Sequence, residues 1–528
     1  MKNLFRAFAC LALALNLGST STPAALPSVH VAPQVLADTA REQNGDFLVV
    51  LRSQADLPAL TARTRSAMEK AAPGDQAHFR GLVAQEVYSG LRAAADRWQP
   101  AVLSELKRLG AEAQPFWIAN LIAVKGKRAV VEAMAARPDV LEIESNLAFR
   151  VPLPEPDAGA RAEISPAATQ GINWNVKQIH APDVWALGYT GQGIRVGVAD
   201  TGMQWDHPAL KEHYLGWNGT SADHTYTWHD AIHDQNTVGS TSNPCGYALK
   251  APCDDYGHGT HVTGIAVGSD GGANQIGVAP GAKWMGCRNM DQGVGRPSTY
   301  IECLEFFLAP NEDATKHADV VSNSYTCPSD PQDPQYEYCT TSSLTLAVAN
   351  MRAAGIFMAV AAGNEGPGCS TIADPPSLEP SAITIGATDP DNQIATFSSR
   401  GPVKSDGSGR RKPDLVTPGT GKGSDAGIWS SIPGNSYGNK SGTSMATPHV
   451  AGAVALLWSA VPSLRGDVDA TQALFEDTAQ HLTTTEGCGG DTGSTVPNNV
   501  YGYGLINVRA AVFKILFPFS SFFPLIAR

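Results

Sequence analysis

The chain has 528 residues, 43% hydrophobic and 17% charged, with a formal net charge of −12. That much apolar material supports a large core and more than one folded unit, and it excludes global disorder. The acidic balance argues against a nucleic-acid partner, which calls for a basic face.

The chain opens with Met1-Lys2 and Arg6, an apolar run from Phe8 to Leu17, then small and turn-forming residues from Gly18 to Ala25. This succession is that of a secretory signal over residues 1–25, and the run is shorter than the roughly 20 apolar residues that span a bilayer. Secretion, to the periplasm or outside the cell, is therefore expected. Of nine cysteines, Cys10 lies in the signal, and the other eight (245, 253, 287, 303, 327, 339, 369 and 488) form an even set suited to disulfides. Proximity in sequence suggests only Cys245 with Cys253 and Cys287 with Cys303. No CxxC pair or clustered His/Cys set occurs, so no zinc centre is expected.

Phe47 to Arg52 reads as a strand, and Gln76 to Arg108 carries Phe79, Val83, Val87, Leu91 and Trp98 at helical spacing. Phe116 to Val124 reads as one strand, Arg128 to Arg137 as a short helix and Val140 to Ile143 as a last strand, giving a small α+β unit over residues 47–149. Residues 150–170 are rich in Pro, Ala, Glu and Asp, as expected of a linker open to proteolysis. Residues 41–150 carry 15 Lys+Arg against 13 Asp+Glu, while residues 151–528 carry 21 against 36. Opposite net signs favour mutual attraction. After Ile172 short apolar strands alternate with helical stretches, which predicts an α/β unit with a parallel sheet flanked by helices over residues 171–512. Residues 513–528 form an apolar tail, too short and too proline-broken for a membrane span.

Four motifs in this second unit carry chemistry. Val196-Gly-Val-Ala-Asp200-Thr-Gly202 is an apolar strand ending in a carboxylate, where a parallel strand empties into a crevice. Asp255-Tyr-Gly257-His258-Gly259-Thr-His261 places an imidazole between two glycines ahead of a helix. Its His258-to-His261 spacing is wrong for the paired-histidine zinc helix. Ala361-Ala-Gly-Asn364-Glu365-Gly366 sets a side-chain amide at a strand end. Ser441-Gly-Thr-Ser444-Met-Ala-Thr-Pro448-His puts a serine at a helix N-terminus, where unpaired N–H groups can hold an oxyanion. Each motif alone has a bland reading: a turn, a histidine at a helix start, a helix cap.

In this order the four motifs resemble those of the subtilisin-like serine proteases, or subtilases. The Asp, His, Ser order is a stated property of that family. The similarity runs from about Gly171 to Val512, and Ile172-Asn-Trp-Asn to Val184-Trp185 further resembles the bacillopeptidase-like bacterial branch. The resemblance implies catalysis by Asp200, His258 and Ser444 with Asn364 in the oxyanion hole, and no cofactor or metal in the chemistry. Residues 47–149 look like the family's inhibitory propeptide, so the chain's own N-terminal unit is an expected intramolecular inhibitor, removed by cleavage within the linker. Polypeptide substrates are expected to lie as an added strand between Gly293-Val294-Gly295 and Ser324-Tyr325-Thr326. Thr326 departs from the family's usual glycine and is expected to narrow the specificity pocket, with Glu365 on its rim. Gly272 to Val278 resembles the family's calcium loop, but Ala209 replaces the usual aspartate ligand, which weakens the expectation of a structural calcium. The implied product is a secreted, monomeric serine endopeptidase. The alternatives are a narrow-specificity processing protease or an inactive subtilase-fold binding module.

Overall fold

The computed structural model describes residues 29–71, 76–154, 171–235, 242–327, 342–422 and 427–518. The signal segment 1–25, residues 155–170 of the linker, Cys339 and residues 519–528 of the tail lie outside them.

The N-terminal unit is a five-stranded sheet in the order His30–Val31, Val140–Ser145, Gly45–Leu51, Leu121–Gly126, Glu112–Phe116. Its first strand precedes the expected start at residue 47. Phe47 through Leu51 have no solvent exposure, because both faces of this strand are covered. Phe47, Val49 and Leu51 pack with Val102, Leu106 and Met134 inside the unit. Leu48 and Val50 belong to a second apolar cluster that continues into the C-terminal unit. The Gln76–Arg108 helix has its predicted extent. A further helix, Leu57–Lys70, was not predicted from periodicity; its start is marked by Asp56, whose carboxylate accepts the Ala59 N–H at 3.2 Å, and by Pro58 in the first turn.

One expectation is corrected. Phe116 to Val124 is not a single strand but runs through the turn of a hairpin, Glu112–Phe116 and Leu121–Gly126, closed by Trp117-Ile118-Ala119-Asn120. Asn120 adopts φ +40°, which a single strand does not allow.

The C-terminal unit is built on seven parallel strands in the order Leu415–Pro418, Ile383–Thr388, Phe357–Ala361, Val320–Asn323, Arg195–Asp200, Lys283–Arg288, Trp228–Asp230. Helices His258–Val267 and Thr443–Ala460 share one apolar cluster with this sheet. Pro297–Leu308 and Ser342–Ala353 share the other, which also holds Val83, Val87, Leu91 and Trp117 of the N-terminal unit. The strands after Arg195–Asp200 are laid first on one side of it and then, from Val320, on the other. That reversal opens a crevice at the carboxyl ends of the strands.

Disulfides join Cys245 to Cys253, Cys287 to Cys303 and Cys369 to Cys488, and Cys327 is also disulfide-bonded. The last helix, Val508–Leu516, crosses the boundary expected at 512. It buries Val508, Ala511 and Val512 and exposes Ile515, and Phe517 just beyond it is exposed as well. Among the described residues no helix is long and apolar enough to cross a membrane.

Candidate active site

Asp200 ends the Arg195–Asp200 strand, fifth of the seven, wholly buried, and its Oδ1 lies 2.7 Å from Nδ1 of His258. The same oxygen accepts the Thr201 N–H at 2.8 Å. His258 is the first residue of its helix, and Gly259 explains how a helix start comes so close to a strand end. A Cβ at Gly259 would lie 2.0 Å from the Gly202 carbonyl oxygen and 3.1 Å from Asp200 Cβ, so only glycine fits. Asp254, which the sequence reading passed over, ties this corner together. It accepts the N–H groups of Tyr256, Gly257 and Thr260 and the hydroxyls of Thr201 and Thr260. Next to it, burial pushes the Asp255 carboxyl up to about 7, against the opposing effects of a hydrogen bond from Asn243 and the Arg288 cation.

Ser444 is the second residue of the Thr443–Ala460 helix, 3% exposed. Its hydroxyl donates to the Ser324 carbonyl at 2.9 Å, and the Ser324 hydroxyl returns a bond to the Ser444 carbonyl at 3.0 Å. Among the described residues His258 Nε2 has no hydrogen-bond partner. Asn364 follows the Phe357–Ala361 strand, and its Oδ1 accepts both the N–H and the hydroxyl of Thr443 at 2.9 and 3.0 Å. That double tether fixes the amide with its Nδ2 as the donor side. Thr443 was not singled out from the sequence, although it directly precedes the serine. The other histidines of these motifs are packing groups. His261 and His449 are wholly buried, and burial holds His449 near 4 and His261 well below the ordinary imidazole range.

The expected substrate walls receive the chain's own segment 149–154. Phe149–Arg150 pairs antiparallel with Val294–Gly295, and the Val151 N–H donates to the Gly293 carbonyl at 2.8 Å. The Phe149 ring meets Tyr300 edge-on at 5.6 Å, and Tyr300 lies 4.1 Å from Tyr325. Ser324, Tyr325 and Thr326 follow the adjacent strand, all buried, with the Tyr325 hydroxyl donating to Asn323 at 2.9 Å. Glu365 is exposed and accepts the Ser399 hydroxyl at 2.7 Å.

The N-terminal unit grips two helices of the C-terminal unit at their N-termini. Asn146 accepts the Ser298 N–H at 2.9 Å and Glu144 the Ser343 N–H at 3.1 Å. In return Glu305 accepts the N–H groups of Trp117 and Ile118, and the Asn350 amide donates to the Ile118 carbonyl. The ion pairs across the boundary, Arg92 with Glu312 and Arg296 with Asp46, run in both charge senses. Apolar contact and capped backbone groups therefore hold the units together more than their opposite net charges do.

At the segment expected to bind calcium, the side chains nearby are engaged with the protein itself. Asp270 accepts the N–H groups of Gly272 and Asn274 and the Asn274 amide, at 2.9, 3.0 and 2.7 Å, and Ala209 is wholly buried without a ligand atom on its side chain. No group of three His, Cys, Asp or Glu among the described residues is placed to hold a metal.

Residues 191–504 match the Subtilase family. Bacillopeptidase F of Bacillus subtilis (strain 168) is 37% identical over 450 residues, which cover 81% of this chain and 28% of that protein. Subtilisin E of the same strain is 32% identical over 344 residues, covering 65% of this chain and 71% of that one. Serine protease AprX, also of that strain, is 32% identical over 354 residues, covering 63% and 70%. The chain thus spans little more than a quarter of bacillopeptidase F.

Proposed function

Because this chain belongs to the subtilase family, we propose that it is a secreted serine endopeptidase made as a self-inhibited precursor. The observation that carries the reading is the convergence at the sheet's carboxyl edge of the Asp200–His258 bond at 2.7 Å, the Ser444 helix start and the amide of Asn364 held by Thr443. Ser444 is the nucleophile and attacks the scissile carbonyl carbon. His258 Nε2 takes the hydroxyl proton and later gives it to the leaving amine, while Asp200 fixes the ring through Nδ1 and stabilises its cation. The oxyanion is held by Asn364 Nδ2 and the Ser444 N–H at the positive end of the helix. To reach His258, Ser444 Oγ leaves the Ser324 carbonyl by side-chain rotation.

Polypeptide substrates pair with Gly293–Gly295 as the segment 149–151 does, which favours breadth over strict sequence. That segment blocks the same wall in the precursor, and cleavage within residues 150–170 frees it. The disulfides and the apolar N-terminal segment support export. Wild type and Ser444→Ala, assayed side by side on unfolded casein, test the reading. The variant is expected to lose at least about 10³-fold in turnover and to stay uncut in the linker. Wild-type rates from Ser444→Ala would overturn it.

A further inference from the structure

The hairpin that forms the Gly293–Gly295 wall turns in a conformation its own sequence does not enforce. Met290–Asp291 pairs antiparallel with Val294–Gly295 through Gln292-Gly293, whose φ angles are +48° and +82°. Positive φ at both central residues marks a type I′ turn, which prefers Asn, Asp or Gly in first place. A Gln-Gly pair suits a type II turn better, with its first residue at negative φ and its strands splayed. Gln292 is held from outside the loop by Asp255. Its Oδ1 accepts the Gln292 N–H at 3.1 Å, while its Oδ2 accepts the Asn243 amide at 2.6 Å and the Arg288 guanidinium at 3.2 Å. The Asp255 side chain has no solvent exposure. Its partners are fixed in turn: Arg288 makes two bonds to Asp230 at 2.8 Å, and Asn243 also donates to Asp291 at 2.5 Å. On the other side of the turn residues 149–150 pair with Val294–Gly295, and the Gln292 carbonyl accepts the Arg150 guanidinium at 3.1 Å. This wall stands apart from the reacting bond, since the segment lying on it continues to Pro154 before it touches Gly442, next but one to Ser444. A group that sets the turn therefore acts on how a long peptide is held.

We propose that Asp255 is a positioning residue for substrate: by fixing the Gln292-Gly293 turn it shapes the strand wall and so favours extended peptides over short ones. The inference rests on the endopeptidase reading above. Its test uses mature enzyme, titrated with a serine-directed phosphonate, and two substrates. One is a fluorogenic peptide carrying Phe-Arg-Val, the sequence that lies on the wall, ahead of the cleaved bond; the other is the ester of a single N-acetylated residue, too short to reach the wall. Asp255→Glu keeps a carboxyl opposite Arg288 but displaces the acceptor by one methylene. The peptide-to-ester ratio of kcat/KM is expected to fall ~10-fold, mainly through KM for the peptide. Adding Gln292→Asn should restore most of the ratio, because Asn-Gly takes up the type I′ turn unaided. Gln292→Val leaves Asp255 in place and sets a β-branched residue at positive φ, so it should lower the ratio as well, whether or not the Asp255 variant folds. Each ratio is taken within one enzyme, so differing yields of folded protein cancel. An unchanged ratio in Asp255→Glu or in Gln292→Val, an equal loss on both substrates, or a loss that Gln292→Asn does not repair overturns the proposal and leaves the endopeptidase reading intact. Absence of peptide cleavage by wild type defeats the endopeptidase reading instead.

Discussion

Replacing Glu305 by alanine in the uncut Ser444→Ala precursor should loosen the hairpin through which the N-terminal unit holds its partner. Glu305 receives the N–H groups of Trp117 and Ile118, whose residues are 8% and 0% exposed. An unpaired buried N–H costs about 1–3 kcal/mol, so orphaning both N–H groups costs ~2–6 kcal/mol. A cavity of about 310 Å³ lined by Gln114, Trp117, Glu302 and Glu305 lets water reach the orphaned groups, which places the cost near the lower end. About 2 kcal/mol is ~30-fold in the opening equilibrium. Hydrogen exchange over residues 112–126 at pH 6 should lose protection by that factor, with the Ile383–Thr388 strand unchanged. Glu305→Gln should stay close to the parent, because burial pushes the Glu305 carboxyl up to about 8 and the amide mimics its neutral form at pH 6. Protection within about threefold of the parent in Glu305→Ala would refute the reasoning.

Asn364→Ala should lower kcat by ~10²–10³ with little change in KM, since the amide acts on the oxyanion and not on the ground-state peptide. Steady-state kinetics on a short peptide checks this. The precursor's inter-unit contact should also weaken with rising pH. Burial pushes Glu144 up to about 7 and Glu305 up to about 8 from an ordinary 4.5. Both carboxyls bind protons more tightly in the assembled precursor than in the unfolded chain. Their contribution is therefore complete below about pH 4.5 and fades as pH climbs through 7 and 8. Urea midpoints of the Ser444→Ala precursor at pH 5.5 and 8.5 should show the decline, and Glu144→Gln with Glu305→Gln should flatten it.

The candidate site was readable where its logic is local. A carboxylate at a strand end, glycines around His258 and a serine at a helix start each occupy a few consecutive residues, and their order along the chain joined them. The Gln76–Arg108 helix was equally plain, since its apolar spacing repeats over many turns. The Trp117–Asn120 turn was not, because it carries no glycine or proline and its apolar residues read as more strand. That turn is held by Glu305 and Asn350, 187 to 232 residues further on. Asp254 escaped notice because it belongs to no recognisable word and matters by tying its own turn, through Tyr256, Gly257 and Thr260, back to Thr201, 53 residues earlier. The resemblance of these motifs to those of the subtilases thus pointed to Asp200, His258, Ser444 and Asn364, and apolar alternation to the parallel sheet beneath them. Their meeting at one strand edge, the seating of residues 149–154 along the cleft and the capping between the two units came only with the fold, because backbone groups and buried charges find distant partners that no local pattern encodes.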